Sequence, residues 1–273
     1  MESPIGVFDS GYGGLTILRE IRKFLPQYDY LYLGDNARAP YGTRSFDIVY
    51  RFTLQAVEEL FSRGCRLVIL ACNTASAKAL RTIQQNDLPR IDPSRRVLGV
   101  IRPTVEALGH LTRSGHVGLF GTPGTVRSQS YTMEVAKLFP GMKITGHSCP
   151  MWVPLVENNE ADKPGADYFV DKDSNALMEA DSEIGTVILG CTHYPLLYPK
   201  IRKALPSHVT MISQGEIVAA SLADYLRRHP EMERTLSRTS AIEYLTTERA
   251  DSFSRMASIF LHTPVCATQI TLS

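Results

Sequence analysis

Two stretches of the chain place a thiol where an apolar run meets small polar residues. The first is Val68-Ile69-Leu70-Ala71-Cys72-Asn73-Thr74-Ala75-Ser76, and the second is Val187-Ile188-Leu189-Gly190-Cys191-Thr192-His193-Tyr194-Pro195. Each reads as a buried parallel strand that delivers a cysteine to its carboxyl end. Two such cassettes suggest two half-sites facing one substrate. Opposed thiols can do acid/base work, one removing a proton while the other supplies one to the opposite face. A thiol ionises close enough to neutral pH to serve in either form after modest tuning, and a helix N-terminus behind it favours thiolate.

Five strand ends carry polar groups suited to holding a small anion: Asp9-Ser10, Tyr41-Gly42 within its loop, Cys72-Asn73-Thr74, Gly121-Thr122 and Cys191-Thr192-His193. Ligands of α/β sheets bind beyond the carboxyl ends of strands, and helix N-termini hold carboxylates. Asp9 or Glu157 can take a proton on one side, and His193 on the other. Each also has a structural reading: Asp9 as a turn-former, His193 as a helix cap and Glu157 as a solvated helix end. Asp35 is expected to bond its own loop, and Trp152 to pack in a core. The chain lacks G-x-G-x-x-G, G-x-x-x-x-G-K-[ST] and a clear metal cluster, and no lysine stands in these motifs. Dinucleotides, nucleoside triphosphates, metal chemistry and pyridoxal phosphate are therefore disfavoured. No cofactor and no metal are expected.

The elements that must position these groups alternate. Strands are expected at Ile5–Phe8, Tyr30–Leu33, before Cys72, at Arg96–Ile101, Val117–Phe120 and Lys143–Thr145, before Cys191, and at Val209–Ile212 and Ala241–Leu245. Helical patterns fall between them, including Ser45–Arg63, Ala75–Gln84 and a short apolar helix around Trp152. Such alternation predicts an α/β fold with parallel sheets. Val7-Phe8-Asp9-Ser10-Gly11 is answered by Leu119-Phe120-Gly121-Thr122-Pro123 at an offset similar to that between the cysteines. Two related α/β halves packed face to face follow from that repeat. Residues 158–182 are charge-rich and suggest an insertion or mobile surface, 229–239 a linker, and the end of the chain a short tail.

The 273 residues are 44 % hydrophobic and 21 % charged, with net charge +1. That supports a full core and gives no electrostatic reason to expect nucleic acid or a membrane as partner. No run is apolar enough to span a bilayer, and with Met1-Glu2-Ser3-Pro4 leading straight into a strand no secretory signal is expected. The five cysteines are odd in number and without C-x-x-C spacing, which fits a reducing cytoplasm. Cys65 and Cys266 are expected to be small buried hydrophobes.

The chain resembles the glutamate racemases of the cofactor-independent aspartate/glutamate racemase superfamily. The matching stretches are Phe8-Asp9-Ser10-Gly11-Tyr12-Gly13-Gly14-Leu15-Thr16, Gly34-Asp35 through Pro40-Tyr41-Gly42, Ala71-Cys72-Asn73-Thr74-Ala75, Cys149-Pro150 through Glu157, and Leu189-Gly190-Cys191-Thr192-His193-Tyr194-Pro195-Leu196. The resemblance implies Cys72 and Cys191 as catalytic acid/bases, Cys72 acting on D-glutamate and Cys191 on L-glutamate. It implies Asp9 as assistant to Cys72, His193 to Cys191, and Glu157 as a supporting acid. Ser10, Tyr41, Gly42, Asn73, Thr74 and Thr192, with Asp9 and His193, would hold the substrate, and Thr122 and Thr125 would contribute. The site would lie between two pseudo-symmetric lobes, 1–100 with 210–273 and 101–209. A homodimer and D-glutamate supply for peptidoglycan are implied. Two departures stand out: Ser213-Gln214-Gly215 where relatives usually carry an acidic residue, and the long charged segment 158–182.

Three rivals remain open at this level. One is an aspartate racemase of the same superfamily, and another a non-catalytic amino-acid binding protein on this scaffold. The third is a thiol hydrolase with Cys191 as nucleophile and His193 as base, disfavoured because residues two apart on such a turn seldom meet correctly.

Overall fold

A computed structural model describes residues 3–272. Among the described residues ten strands form two sheets in which every pairing between strands is parallel. The strands are β1 (Ile5–Asp9), β2 (Tyr30–Gly34), β3 (Leu67–Leu70), β4 (Arg96–Gly99), β5 (His116–Gly121), β6 (Lys143–Ser148), β7 (Thr186–Gly190), β8 (Thr210–Ile212), β9 (Ile242–Thr246) and β10 (Ala267–Gln269). The first sheet has the order β10-β9-β2-β1-β3-β4, and the second β6-β5-β7-β8. Strands β1, β2, β3 and β7 are buried at every residue, as helix-covered parallel strands must be, and this is why they read as unbroken apolar runs.

The core order β2-β1-β3-β4 repeats as β6-β5-β7-β8. The repeat expected from Asp9 and Gly121 thus equates β1 with β5, and β3 with β7, each of the latter two leading into a cysteine. Strands β9 and β10 extend the first sheet only. The last strand of the second sheet, β8, pairs with β7, so strand membership carries that sheet to Ile212, three residues past the boundary expected at 209.

Helix boundaries follow local chemistry. Ser45 accepts a hydrogen bond from the Ile48 N–H at the start of the 46–62 helix, and Gly64, at φ +95°, ends it. Thr122 caps the turn that begins at Pro123 by accepting from the Thr125 N–H at 3.2 Å. Left-handed Gln129 then separates that turn from the 130–138 helix, dividing what the sequence suggests is one helix. The helix after Cys72 runs on past Gln84 to Ile91 through a wide π-turn.

Several expectations need correction. Residues 164–180 form a regular helix that buries Ala166, Val170, Asp173 and Leu177 on one stripe, so most of the charged segment is a packed element with a solvated outer face. The expected linker contains a short helix, Pro230–Glu233, and Leu236 pairs with Ser3. The expected tail contains β10, which lies on the edge beside β9. Cys65 is fully buried as expected, but Cys266 is exposed because it precedes that edge strand.

Candidate active site

Each thiol sits where a fully buried strand stops. Cys72 follows β3 and caps the 73–78 helix, its sulfur accepting from the Ala75 N–H at 3.4 Å. Ser10 Oγ, from the turn after β1, lies 3.4 Å from the same sulfur. Burial pushes the Cys72 thiol up to about 12, and the Asp9 carboxylate adds to that rise; the contacts from Ser10 and Ala75 oppose it. At neutral pH Cys72 therefore rests protonated. Cys191 also raises it, which places the two sulfurs within electrostatic reach of each other.

Cys191 follows β7 and faces His193, with Sγ 3.8 Å from Nδ1. The other imidazole nitrogen, Nε2, is 3.0 Å from Glu157 Oε1. Burial alone would lower the His193 pKa, but the Cys191 and Glu157 contacts outweigh it and lift it to about 10. His193 makes no capping bond to the turn that follows it. Glu157, the last residue of the 152–157 helix, is bonded to His193 rather than simply solvated.

Asp9 is buried at the end of β1, and its Oδ2 accepts from the Gly11 N–H at 2.9 Å. It forms a local turn and also faces the site. Burial raises its pKa; the His193 charge and the Gly11 and Gly14 N–H groups pull it back, while Glu157 pushes the same way as burial. Asp9 thus feels His193 and Glu157, so groups assigned to opposite thiols share one electrostatic environment.

The two halves of the site meet closely. A Cβ on Gly13 would lie 2.1 Å from Thr192 Oγ1 and 2.5 Å from His193 Nδ1, so only glycine admits this approach. Thr16 Oγ1 contacts the Thr192 carbonyl at 3.1 Å. On the other side, the Gly124 N–H donates to the Gly42 carbonyl at 2.7 Å, and Thr74 Oγ1 lies 3.0 Å from Thr122 and 3.3 Å from Thr125. Tyr41 is buried and donates to Asp35, which also pairs with Arg38 at 2.7 Å, as the loop reading anticipates. Trp152 is wholly buried between Phe120 and Tyr194, a packing role.

Asn73 is the expected ligand whose side chain is most fully engaged elsewhere. Its Nδ2 donates to Gln214 Oε1 at 2.6 Å, and its Oδ1 accepts from Tyr131 at 2.7 Å. Gln214 Nε2 in turn donates to Thr104 Oγ1 at 2.8 Å and Tyr131 Oη at 2.9 Å. This buried network fixes the residue beside Cys72. Sequence alone marks Gln214 as unusual but gives no sign of Thr104 and Tyr131, whose partnership is purely tertiary. Phe260 is also missed: it meets the His193 ring edge-on at 6.0 Å from the C-terminal helix. A cavity of 550 Å³ lined by Lys78, Arg81, Arg102, Lys137 and Arg228 touches neither thiol.

A model of the family described as Asp/Glu/Hydantoin racemase matches residues 15–222. The chain belongs to this racemase family. It is 42 % identical to a glutamate racemase of Ruegeria pomeroyi over 94 % of this chain and 96 % of that one. A glutamate racemase isoform of Bacillus anthracis superposes with a TM-score of 0.90 at 36 % identity, covering 99 % of this chain and 98 % of that one. The glutamate racemase of Francisella tularensis in complex with D-glutamate gives 0.88 at 29 % identity, over 100 % and 98 % of the two chains. The racemase family and the two-sheet α/β architecture expected from sequence are both found. Among the described residues no helix is long and apolar enough to cross a membrane.

Proposed function

We propose that the protein is a glutamate racemase that interconverts L- and D-glutamate with two opposed thiols, Cys72 and Cys191, and no cofactor. The observation that carries this reading is the unlike setting of the two sulfurs. Cys72 rests as a buried thiol near Asp9 and Ser10, while Cys191 lies 3.8 Å from an imidazole that stays protonated to about pH 10. Cys72 is set up to donate a proton, and Cys191 has an imidazole beside it.

With L-glutamate bound, Cys191 removes the α-proton, with the His193 Nδ1 3.8 Å from its sulfur. Cys72 delivers its proton to the opposite face, leaving D-glutamate, a Cys72 thiolate and a protonated Cys191. The reverse direction exchanges the roles. Asp9 assists Cys72; His193, held by Glu157, assists Cys191. Ser10, Tyr41, Gly42, Asn73, Thr74, Thr122 and Thr192 form the surrounding shell, Asn73 acting through the backbone it anchors. The carbanionic α-carbon needs fixed donors and little water, and the close approach of the Gly13 and Thr192 turns suits both needs.

Glutamate is favoured over aspartate because the Ruegeria and Bacillus relatives are both named glutamate racemases. The lobes are read as 1–100 with the C-terminal part of the chain, and the intervening segment through β8. A homodimer, cytoplasmic location and D-glutamate supply for peptidoglycan complete the proposal. Initial rates on both enantiomers of glutamate and aspartate test it. Glutamate should turn over at least about tenfold faster in kcat/KM; faster aspartate turnover would overturn the substrate assignment.

A further inference from the structure

A second cluster of chemically capable groups lies away from the two thiols already discussed. His147 is the next-to-last residue of β6 and Cys149 the first beyond it, where its N–H still bonds the Gly121 carbonyl of β5, so the two share a face. That face meets the 164–180 helix, whose buried stripe carries Asp173. His147 Nε2, Cys149 Sγ and an Asp173 carboxylate oxygen all lie within 4.8 Å of one another, and the Nε2 to Oδ1 separation is 3.2 Å. Metal bonds of about 2.0–2.3 Å in a tetrahedral site imply donor separations of roughly 3.3–3.8 Å, so the three groups need only close slightly.

The charge balance points the same way. Asp173 is buried, and among the described residues no lysine or arginine pairs with it; His147 is its sole ion-pair partner. Beside it Cys149 is almost wholly buried; its thiol bonds to Asp173 and makes a weak contact with the His147 carbonyl at 3.8 Å. A buried carboxylate whose ion-pair partner is a histidine has no permanent counter-charge, and a divalent ion would supply one. The comparable cluster of His116, Asp181 and Glu183 differs, because Lys143 already pairs with Asp181 at 3.0 Å.

We propose that His147, Cys149 and Asp173 form a three-ligand site for a zinc-class divalent cation, with solvent at the fourth position. One nitrogen, one sulfur and one oxygen donor suit such an ion. The His147 side chain, 27 % exposed, gives the entry path. On binding, the Cys149 S–H bond breaks, its proton passes to solvent and a sulfur–metal bond forms, with no change of oxidation state. The ion would clamp the 164–180 helix to the segment that leads into the 152–157 helix. The Cys149 carbonyl also accepts from Tyr194 at 3.2 Å, so the clamp adjoins the Cys191 cassette. The inference stands whether or not the racemase reading does.

Cobalt(II) is the probe, because thiolate ligation gives it an intense absorption band. The full chain is titrated in four forms: Cys72→Ser/Cys191→Ser, which removes the two active-site thiols as competitors, and the same background with Cys149→Ser, His147→Gln or Asp173→Asn. The background variant should show the thiolate–cobalt band and a raised unfolding temperature on loading. Cys149→Ser should lose the band, and the other two should bind at least about tenfold more weakly. No thiolate–cobalt band in the background variant would overturn the site. Unchanged affinity in both His147→Gln and Asp173→Asn would overturn it equally, and His147→Gln, at a partly exposed position, keeps that arm clear of misfolding.

Discussion

Glu157→Gln removes one charge from the pair that holds His193 while keeping the shape of the side chain. Unit charges 3.0 Å apart attract by roughly 5 kcal/mol at an effective dielectric of about 20. The Glu157 side chain is 25 % exposed, so solvent screening reduces this. A carboxylate in such a position supports a neighbouring imidazolium by a factor of roughly 10 to 10³ in its protonation equilibrium, about 1.4–4 kcal/mol. The His193 pKa should then fall from about 10 to between about 7 and 9. Initial rates followed by circular dichroism across pH 6 to 11 (an assay range) in both directions are the assay. The high-pH limb of kcat/KM for L-glutamate should move down by that amount in the variant. Stability gives an independent readout. The folded His193 pKa is raised above its ordinary value of 6.5, so its contribution is complete below pH 6.5 and is lost as pH rises through about 10. Glu157→Gln should flatten that decline. A high-pH limb that stays in place in the variant would refute the Glu157–His193 coupling.

Other outcomes follow from the same geometry. Cys72→Ala and Cys191→Ala should each abolish racemisation while the circular dichroism spectrum and unfolding temperature stay near the parent's; near-normal turnover in either would sink the two-thiol scheme. Gly13→Ala places a Cβ 2.1 Å from Thr192 Oγ1 and 2.5 Å from His193 Nδ1. Displacing those groups by about 1 Å should cost about 10²-fold in kcat, and a loss under threefold would count against the close approach. Gln214→Leu strips partners from Asn73, Thr104 and Tyr131 in a buried network, which should cost about 1–3 kcal/mol and lower the unfolding temperature by roughly 3–10 °C. An unchanged unfolding temperature would show that the network contributes little.

The strands were legible because parallel strands covered on both faces leave only apolar residues, as in β3 and β7. Their carboxyl ends were legible because Cys72 and Cys191 interrupt those runs with polar groups. The repeat of Asp9 and Gly121 suggests two related α/β halves; that the two sheets share a strand order is visible only in the structure. Pairings set only by tertiary contact were not visible. Gln214 gathers partners from helices at 101–111 and 130–138 and from the turn after β3, and nothing local marks them. The strand β10 has just three residues, none of them fully buried, so it lacks the burial pattern that betrayed the others. The 164–180 helix was obscured by its charged outer face, although its inner stripe recurs at helical spacing.

Incubation of the protein with L-glutamate in D₂O tests the central claim most directly, with chirality read by circular dichroism and the α-position by mass spectrometry. Two opposed thiols predict D-glutamate carrying deuterium at the α-carbon from the first turnovers, while the remaining L-glutamate stays protiated. Deuterium entering L-glutamate without inversion, or D-glutamate that keeps its original proton, would contradict the account.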